Sequence, residues 1–302
     1  SWFKKSLELN TGIIFTESNS RVNNPGISNV NYPYLKLAGP YGNALAVPVD
    51  IRQSFKDTAG GGRLLDWDYR PLEEFKLNDN HTKQTDYRIN VDAKVKIIKG
   101  LDATLLYQYN KGFIEQNDYK SQQTYFTRNL INQFTQIESS GQLINHIPTG
   151  GILDQLTNNY EAHNVRSQLN FNKSWFNINH TKSHAITAIA GGEVRTFESQ
   201  QEIMRLYGYN KELQTSSDVD YETPFPLYQN EAFEQNIPFM NKRQGTTDRF
   251  ISYYLNAKYA FQKKYILSAS ARKDESNLFG VKTNQKGVPL WSVGASWEIS
   301  LE

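Results

Sequence analysis

Cysteine is absent from the 302 residues of the sequence, and histidine occurs only five times. Disulfides and thiolate metal sites are therefore excluded, and few side chains remain for any metal centre. The formal net charge is +2, so the sequence has no electrostatic basis for binding nucleic acid. Mean hydropathy is −0.64, and no apolar run approaches the roughly 20 residues that a transmembrane helix needs. These absences exclude a protein that spans a membrane with helices.

Signatures of catalysis are also missing. No nucleophile-elbow, P-loop or dinucleotide-binding motif occurs in the sequence. His180 and His184 are four residues apart but flank a predicted turn, and the acidic side chains between Asp66 and Glu74 lie in a predicted loop. General acid–base catalysis needs two carboxylates at a fixed separation in a cleft. We therefore expect neither an enzyme nor a bound cofactor or metal ion.

Aromatic residues are abundant, at 13% of the chain, with 18 Tyr, 16 Phe and 5 Trp. A membrane β-barrel exposes only alternate residues to lipid, so its strands are half polar and its mean hydropathy is low. Aromatic girdles at the two membrane interfaces would use these rings. Soluble β-sandwiches are also rich in aromatic residues, so the count leaves both classes open.

Strict alternation is clearest between Tyr87 and Ile97, where every second residue is apolar. The intervening side chains are polar, and most of them are charged: Arg88, Asn90, Asp92, Lys94 and Lys96. A period of two over this length predicts a strand with two different environments on its faces. The same pattern predicts seven further strands, at residues 7–15, 101–109, 165–171, 184–197, 251–261, 265–271 and 291–299. Gly191 and Gly192 predict a bulge or bend within the fifth strand.

The predicted connections alternate between long and short along the chain. Long connections follow Ser18, Lys111 and Glu198, and a medium one follows Glu275, whereas the connections between them are short. Outer-membrane barrels have short periplasmic turns and long extracellular loops in this alternation. Two local features are predicted in the first long connection. One is a helix that starts near Pro71 with Asp68 as its cap, and the other is a flexible glycine tip at residues 60–62.

A motif near the end of the sequence resembles the Arg-x-Asp-Gly-Ser-Ser-x-Phe-Gly motif of SusC/RagA-type TonB-linked outer-membrane proteins. Glu275 and Asn277 depart from it, replacing the usual Gly and Ser. The segments 286–300, 259–265 and 97–101 are similar to the next strand and to two periplasmic turns of that family. The matching positions, for which we predict a structural role, are Arg272, Asp274, Ser276, Phe279 and Gly280, followed by Gly287, Pro289 and Trp297.

The resemblance implies an all-β fold. Residues 1–302 would be a partial TonB-dependent-receptor barrel domain, with about eight antiparallel transmembrane strands of a barrel of about 22, and long extracellular loops. The plug domain, the TonB-coupling segment and the remaining strands would lie outside this chain, which begins without Met or an export signal. The family imports glycans or peptides across the bacterial outer membrane, together with a SusD-like surface lipoprotein that acts as a lid.

Aromatic loop residues are the candidate contacts for an oligosaccharide, a peptide or the lid protein. Packing within the loops is the competing interpretation for each of them. The candidates are Tyr32, Tyr34, Trp67, Tyr69, Tyr125, Tyr207, Tyr209 and Tyr228.

Two alternatives remain open at this point. A complete eight-stranded outer-membrane barrel with a structural or adhesive role would close by itself. A soluble carbohydrate-binding β-sandwich would account for the aromatic residues and the low hydropathy, but not for the alternation of loop lengths. In the transporter interpretation, the polar set around Asn90 faces the lumen and the apolar set around Val91 faces outer-membrane lipid.

Overall fold

The structure is a computed structural model, and it describes residues 7–23, 34–177, 183–277 and 287–299. A short 3-10 helix at Ala59–Gly62 accompanies three α-helices and thirteen strands. The helices are α1 Gln53–Lys56, α2 Pro71–Leu77 and α3 Tyr125–Gln133. The strands are β1 Leu7–Arg21, β2 Asn78–Ile98, β3 Leu101–Lys120, β4 Thr135–Ile137, β5 Leu143–Asn145, β6 Gly151–Phe176, β7 Ser183–Asn210, β8 Thr215–Ser217, β9 Phe225–Leu227, β10 Asn230–Gln235, β11 Lys242–Phe261, β12 Tyr265–Ser276 and β13 Leu290–Trp297.

Eight long strands form one antiparallel sheet in the order β1-β2-β3-β6-β7-β11-β12-β13, which confirms the predicted set of eight. Each strand pairs with the next long strand in the chain, so the sheet is a meander. The small strands β4, β5, β9 and β10 form two hairpins within the long connections, and β8 pairs with β7. Among the described residues the sheet does not close, because β1 and β13 are its two edges. None of the described helices is long and apolar enough to cross a membrane.

The predicted alternation of connections is confirmed. The pairs β2–β3 and β11–β12 are joined by tight turns, in which Gly100, Gln262 and Lys263 have positive φ values of 89°, 53° and 57°. A Cβ on Gly100 would lie 2.4 Å from the carbonyl oxygen of Asn172, so only glycine fits there. The connections after β1, β3 and β7 are long and all leave the opposite end of the sheet.

Most strands extend far beyond the segments that alternation predicts. Strand β6 begins at Gly151 instead of residue 165, and β7 continues to Asn210 instead of residue 197. The apolar signal stops where both faces of a strand become polar, but backbone hydrogen bonding to the neighbouring strands continues. The strands therefore continue beyond the apolar part of the sheet as a hydrogen-bonded extension with polar side chains on both faces. Because these residues belong to strands, the connections are shorter than predicted.

The predicted bulge at Gly191 and Gly192 is wrong. The register of β7 with β11 runs without interruption through this point, where Tyr254 lies opposite Gly191 and Tyr253 opposite Gly192. A Cβ on Gly191 would lie 2.5 Å from Tyr254 Oη and 2.6 Å from the carbonyl oxygen of Ser167. The glycine therefore makes room for a tyrosine ring over the strand.

Two predictions in the first long connection also fail in detail. Helix α2 does begin at Pro71, but its N-cap residue is Arg70 and no side chain caps it. The carboxylate of Asp68 instead accepts a hydrogen bond from Arg70 Nη2 at 2.7 Å. The glycine tip is held at one end, because Gly60 is buried and its N–H donates to Tyr228 Oη at 2.7 Å, whereas Gly61 and Gly62 are exposed.

Candidate functional site

One face of the sheet carries an apolar band that no other described element covers. On β6, β7 and β11 the band occupies alternate positions of residues 165–175, 184–194 and 251–261. Each interval matches the about 9–11 residues that a membrane-spanning β-strand needs. Val165, Val194 and Leu255 are 41%, 47% and 51% exposed. A soluble sandwich would bury this face under a second sheet, and the described part of the chain contains no such sheet.

A row of aromatic rings crosses the apolar band at the end where the turns are tight. Trp175 stacks on His184 at 5.3 Å between ring centroids, and His184 lies 5.2 Å from Phe261. Phe261 is 6.3 Å from Tyr265, which is 6.2 Å from Trp297. The row connects five consecutive strands of the sheet. Such a row is typical of the aromatic girdle at one membrane interface.

The two histidines that are four residues apart have no shared site in the described structure. His184 belongs to the aromatic row, and His180 lies outside the described residues. Across the described ranges, no three His, Asp or Glu side chains are grouped so that they could hold a metal ion.

The opposite face, which we call the polar face, is covered by hydrogen-bonded polar side chains. Lys94 Nζ lies 3.7 Å from the carboxylate of Asp102, which also accepts from Asn170 Nδ2 at 3.3 Å. Closer to the long connections, Tyr160 Oη donates to Asp86 at 2.7 Å. The two faces of the sheet therefore suit different solvents, with lipid on one side and water on the other.

The described parts of the long connections after β1, β3 and β7 fold together into what we call the loop layer. Its buried apolar residues form two cores, which contain the buried hydrophobic residues of the described chain apart from Leu153. The first core contains Ile131, Phe134, Ile147, Ile152, Tyr207, Leu227 and Ile237. The second contains Val47, Trp67, Tyr69 and Tyr125. The hydrophobic core of the described structure therefore lies in the loop layer and not against the sheet.

Hydrogen bonds from α3 tie the first long connection to the second. Arg128 donates to the carbonyl oxygens of Asp66 and Asp68 at 2.5 and 3.1 Å. Asn132 accepts from the Leu65 N–H at 3.0 Å and donates to the Leu65 carbonyl at 2.8 Å. Because these donors satisfy backbone groups of an irregular segment, they substitute for regular secondary structure there.

Three ionisable side chains are buried at the same contact. The carboxylate of Glu74 accepts the Tyr125 N–H at 2.7 Å, and burial raises the pKa of Glu74 although this bond and Arg128 oppose the shift. Burial also lowers the pKa of Lys56, despite the nearby Asp50. The Tyr125 hydroxyl donates to Asp50 at 3.1 Å, and burial raises the pKa of Tyr125 well above its usual value.

A second charged group anchors the loop layer to the polar face. Arg205 on β7 makes a bidentate contact with Asp154 on β6, at 2.5 and 2.7 Å, and Lys120 on β3 lies 3.0 Å from the same carboxylate. Burial pushes the pKa of Asp154 up, but the bonds from Arg205 and Lys120 together hold it below its usual value. Lys120 and Arg205 also lie over the ring of Phe126 in α3, at 5.0 and 5.3 Å from its centroid, respectively.

Four of the predicted loop contacts are core residues of the loop layer. The side chains of these four residues are buried, with exposed fractions between 1% for Tyr207 and 7% for Tyr125. The other two are Trp67 and Tyr69. Trp67 Nε1 donates to Asn129 at 2.7 Å. The Tyr207 hydroxyl donates to a backbone carbonyl, and burial raises the pKa of Tyr207 to about 12. The structure gives these four rings a packing role and leaves them little surface for a ligand.

The other predicted contacts are spread over different environments. Tyr34 is fully exposed, whereas Tyr209 packs edge-on against Tyr119 at 5.8 Å. Tyr228 lies 6.0 Å from the Trp67 ring in the second core. Tyr32 lies outside the described residues. Contact of these residues with a ligand or lid protein stays a prediction.

The residues of the family motif lie on and beside β12. Arg272 Nε donates to both carboxylate oxygens of Asp274, at 2.9 and 2.8 Å, and Ser276 is buried. A Cβ on Gly287 would lie 2.7 Å from Glu275 Cγ, so the backbone approaches β12 closely just before Pro289 and β13. Phe279 and Gly280 lie outside the described residues. The structural role of the motif stays a prediction.

No sequence pattern marks Arg128, Asp154 or Arg205, although they hold the loop layer in place. Their partners come from other connections or strands, so neither spacing nor periodicity reveals them. The only available signal was weak: Arg128 and Asn132 are polar residues four apart on a short helix, a spacing that puts them on one face.

No protein-family model and no curated protein sequence matches the chain. Among solved structures, the RagAB peptide importer in its closed-closed state has a TM-score of 0.65 at 14% identity, covering 97% of this chain and 28% of that chain. Its open-open state has a TM-score of 0.61 at 14% identity, covering 96% and 28%. The chain thus spans 28% of the length of the RagAB chains it matches. At this identity the likeness concerns the fold alone, and the chain has the antiparallel β-sheet fold of part of these RagAB chains.

Proposed function

We propose that residues 1–302 form part of an outer-membrane active transporter that imports peptides or glycans. The observation that supports this most directly is the two-faced open sheet, with an uncovered apolar band on one side and hydrogen-bonded polar side chains on the other. The polar face would line the lumen, and the apolar face would contact outer-membrane lipid. Peptides are the first substrate class to test, because the matching solved structures are of a peptide importer.

The rest of the machinery would lie outside this chain. A plug domain, a TonB-coupling segment and the remaining strands would complete the barrel and link it to its energy source. A SusD-like surface lipoprotein would cover the loop layer, where the exposed Tyr34 and Tyr41 offer rings to a partner. The chain would act by binding and passage and not by catalysis.

Uptake assays test the proposal. Cells with and without the gene would receive labelled short peptides and labelled oligosaccharides, before and after the proton gradient is collapsed. We expect the deletion to remove energy-dependent uptake of one substrate class, and a chromosomal copy to restore it. Unchanged uptake of both classes in the deletion strain, or recovery of the protein outside the outer-membrane fraction, would contradict the proposal.

A further inference from the structure

A groove of about 680 Å³ crosses the apolar band, and we call it the band groove. In one row of the register, the small residues Ser167 and Gly192 lie between Leu105 and Tyr253. Leu105 and Tyr253 are about half exposed, so their side chains stand on either side of a low floor. Because the band lies on the lipid side of the sheet and not on the lumen side, a plug domain would not fill this groove.

A second depression, of about 590 Å³, lies on the same side of the sheet just beyond the band, and we call it the polar depression. Register brings its charged side chains together, because Lys111 pairs with Glu161 and Glu161 pairs with Glu198. Glu161 is four residues from Val165 of the band on β6, and an even spacing keeps both side chains on one face of the sheet. The polar depression therefore also faces away from the lumen.

The polar depression contains unpaired charges of both signs. Across the described ranges, Lys111, Glu161 and Glu198 make no hydrogen bond or ion pair with another residue. Arg243, the other cation of the lining, lies against the amide of Gln200. One ammonium group and two carboxylates are therefore available to a ligand. This set suits a ligand that carries both charges, whereas the two carboxylates would repel a purely anionic one.

The spacing between the two sites matches the thickness of one membrane leaflet. Leu169 in the band groove and Glu161 in the polar depression are eight residues apart on β6. At about 3.4 Å per residue and a tilt of about 45°, they are about 19 Å apart along the membrane normal. A leaflet with its headgroups is about 20–22 Å thick, which is half of a bilayer. The polar depression lies toward the long connections, which is the outer leaflet in an outer-membrane barrel.

We propose that the two sites together bind one lipid of the outer leaflet. An acyl chain would occupy the band groove, and a headgroup with both a phosphate and an ammonium group would occupy the polar depression. Lys111 would bind the phosphate, and Glu161 and Glu198 would bind the ammonium group. The matching charges, the leaflet spacing and the continuity with the lipid-facing band favour a lipid over a protein segment. The inference goes beyond the proposed transport function and does not depend on the imported substrate.

Native mass spectrometry of the natural full-length protein in detergent tests the headgroup site. The probes are phosphatidylethanolamine and phosphatidylglycerol with identical acyl chains. We expect the wild type to bind one phosphatidylethanolamine about fivefold more tightly than phosphatidylglycerol, a modest factor because exposed ion pairs are weak. Combining Glu161→Gln with Glu198→Gln should abolish this preference. Lys111→Gln should weaken the binding of both lipids, because both contain the phosphate.

Ala190→Leu tests the band groove, because Ala190 lines it and a larger side chain would fill it. This variant should bind both lipids more weakly than the wild type. Ala257→Leu is the matched control, since Ala257 lies on the same face of β11 but outside the groove. Glu115→Gln is the control for the carboxylates, since Glu115 lies on the same face of β3 but outside the polar depression. Both controls should bind as the wild type does, and heat-modifiable gel mobility would establish that each variant is folded.

Three outcomes would overturn the inference. Equal wild-type affinity for the two lipids would contradict the proposed headgroup. Undiminished lipid binding by Ala190→Leu would contradict the proposed position of the acyl chain. A wild-type dimer that Ala190→Leu converts into a monomer, with no lipid bound to either form, would indicate that a second copy of the protein occupies the groove.

Discussion

Glu74 shows how a single ionisable residue couples the loop layer to pH. Its side chain is 4% exposed, and its carboxylate accepts a backbone N–H from α3. Burial raises the pKa of Glu74, so the folded state holds this proton to a higher pH than the unfolded chain does. Stability from this group is therefore fully present below the unfolded pKa of Glu and is lost as pH rises through the raised folded pKa.

We expect Glu74→Gln to reduce the pH dependence of loop-layer stability. The amide oxygen can still accept the Tyr125 N–H, and the group no longer titrates. Between pH 4 and pH 8, the wild type should lose hydrogen-exchange protection in α3 as pH rises, after correction for intrinsic exchange rates, and the variant should lose less. Glu138→Gln is the control, because Glu138 is an exposed carboxylate in the same connection as α3 and does not contribute to the pKa of Glu74. Identical pH profiles for the two variants would show that Glu74 does not couple the loop layer to pH.

At the scale of elements, each long strand passes through two environments along its length. The lower part of β7, up to Val194, belongs to the apolar band, and its upper part continues to Asn210 with polar side chains. The upper part then supplies Arg205 and Tyr207 to the loop layer. Because one continuous ladder joins the band to the loop layer, the position of the loops follows from the register of the strands.

The face assignment predicts opposite outcomes for two neighbouring substitutions on β2. Val91→Arg would place a charge on the apolar face near the middle of the band, which costs about 2–4 kcal/mol at the bilayer midplane. Asn90→Arg would place the same charge on the polar face, where water and the neighbouring Asp92 accept it. We expect much less folded Val91→Arg than Asn90→Arg in the outer membrane, measured by immunoblot and heat-modifiable mobility. Equal levels of the two variants would contradict the assignment of the two faces.

For the whole molecule, the open edges of the sheet decide what the chain can do alone. Both β1 and β13 present unpaired backbone groups among the described residues, and lipid cannot satisfy such groups. We therefore expect residues 1–302 in isolation to aggregate in detergent, and not to refold as a monomer whose mobility changes on heating. A complete eight-stranded barrel would give the opposite result.

Cysteine pairing makes this test sharper, because the sequence has no native cysteine. The substitutions Thr11→Cys and Val293→Cys place one thiol on β1 and one on β13. The two thiols would come close only if the two edges of the sheet joined. A rapid intramolecular disulfide in a refolded monomer would support the small barrel and contradict the larger one.

The sequence by itself determined the eight strands, their two faces and the alternation of long and short connections. Alternation from Tyr87 to Ile97 is a local property, and a lipid-facing strand must show it. Only the tertiary structure decided that Trp67, Tyr69, Tyr125 and Tyr207 form cores within the loop layer, and that Gly191 makes room for Tyr254. These contacts join segments that are distant in the sequence. Their packing depends on register and loop closure, which leave no periodic trace in any one segment.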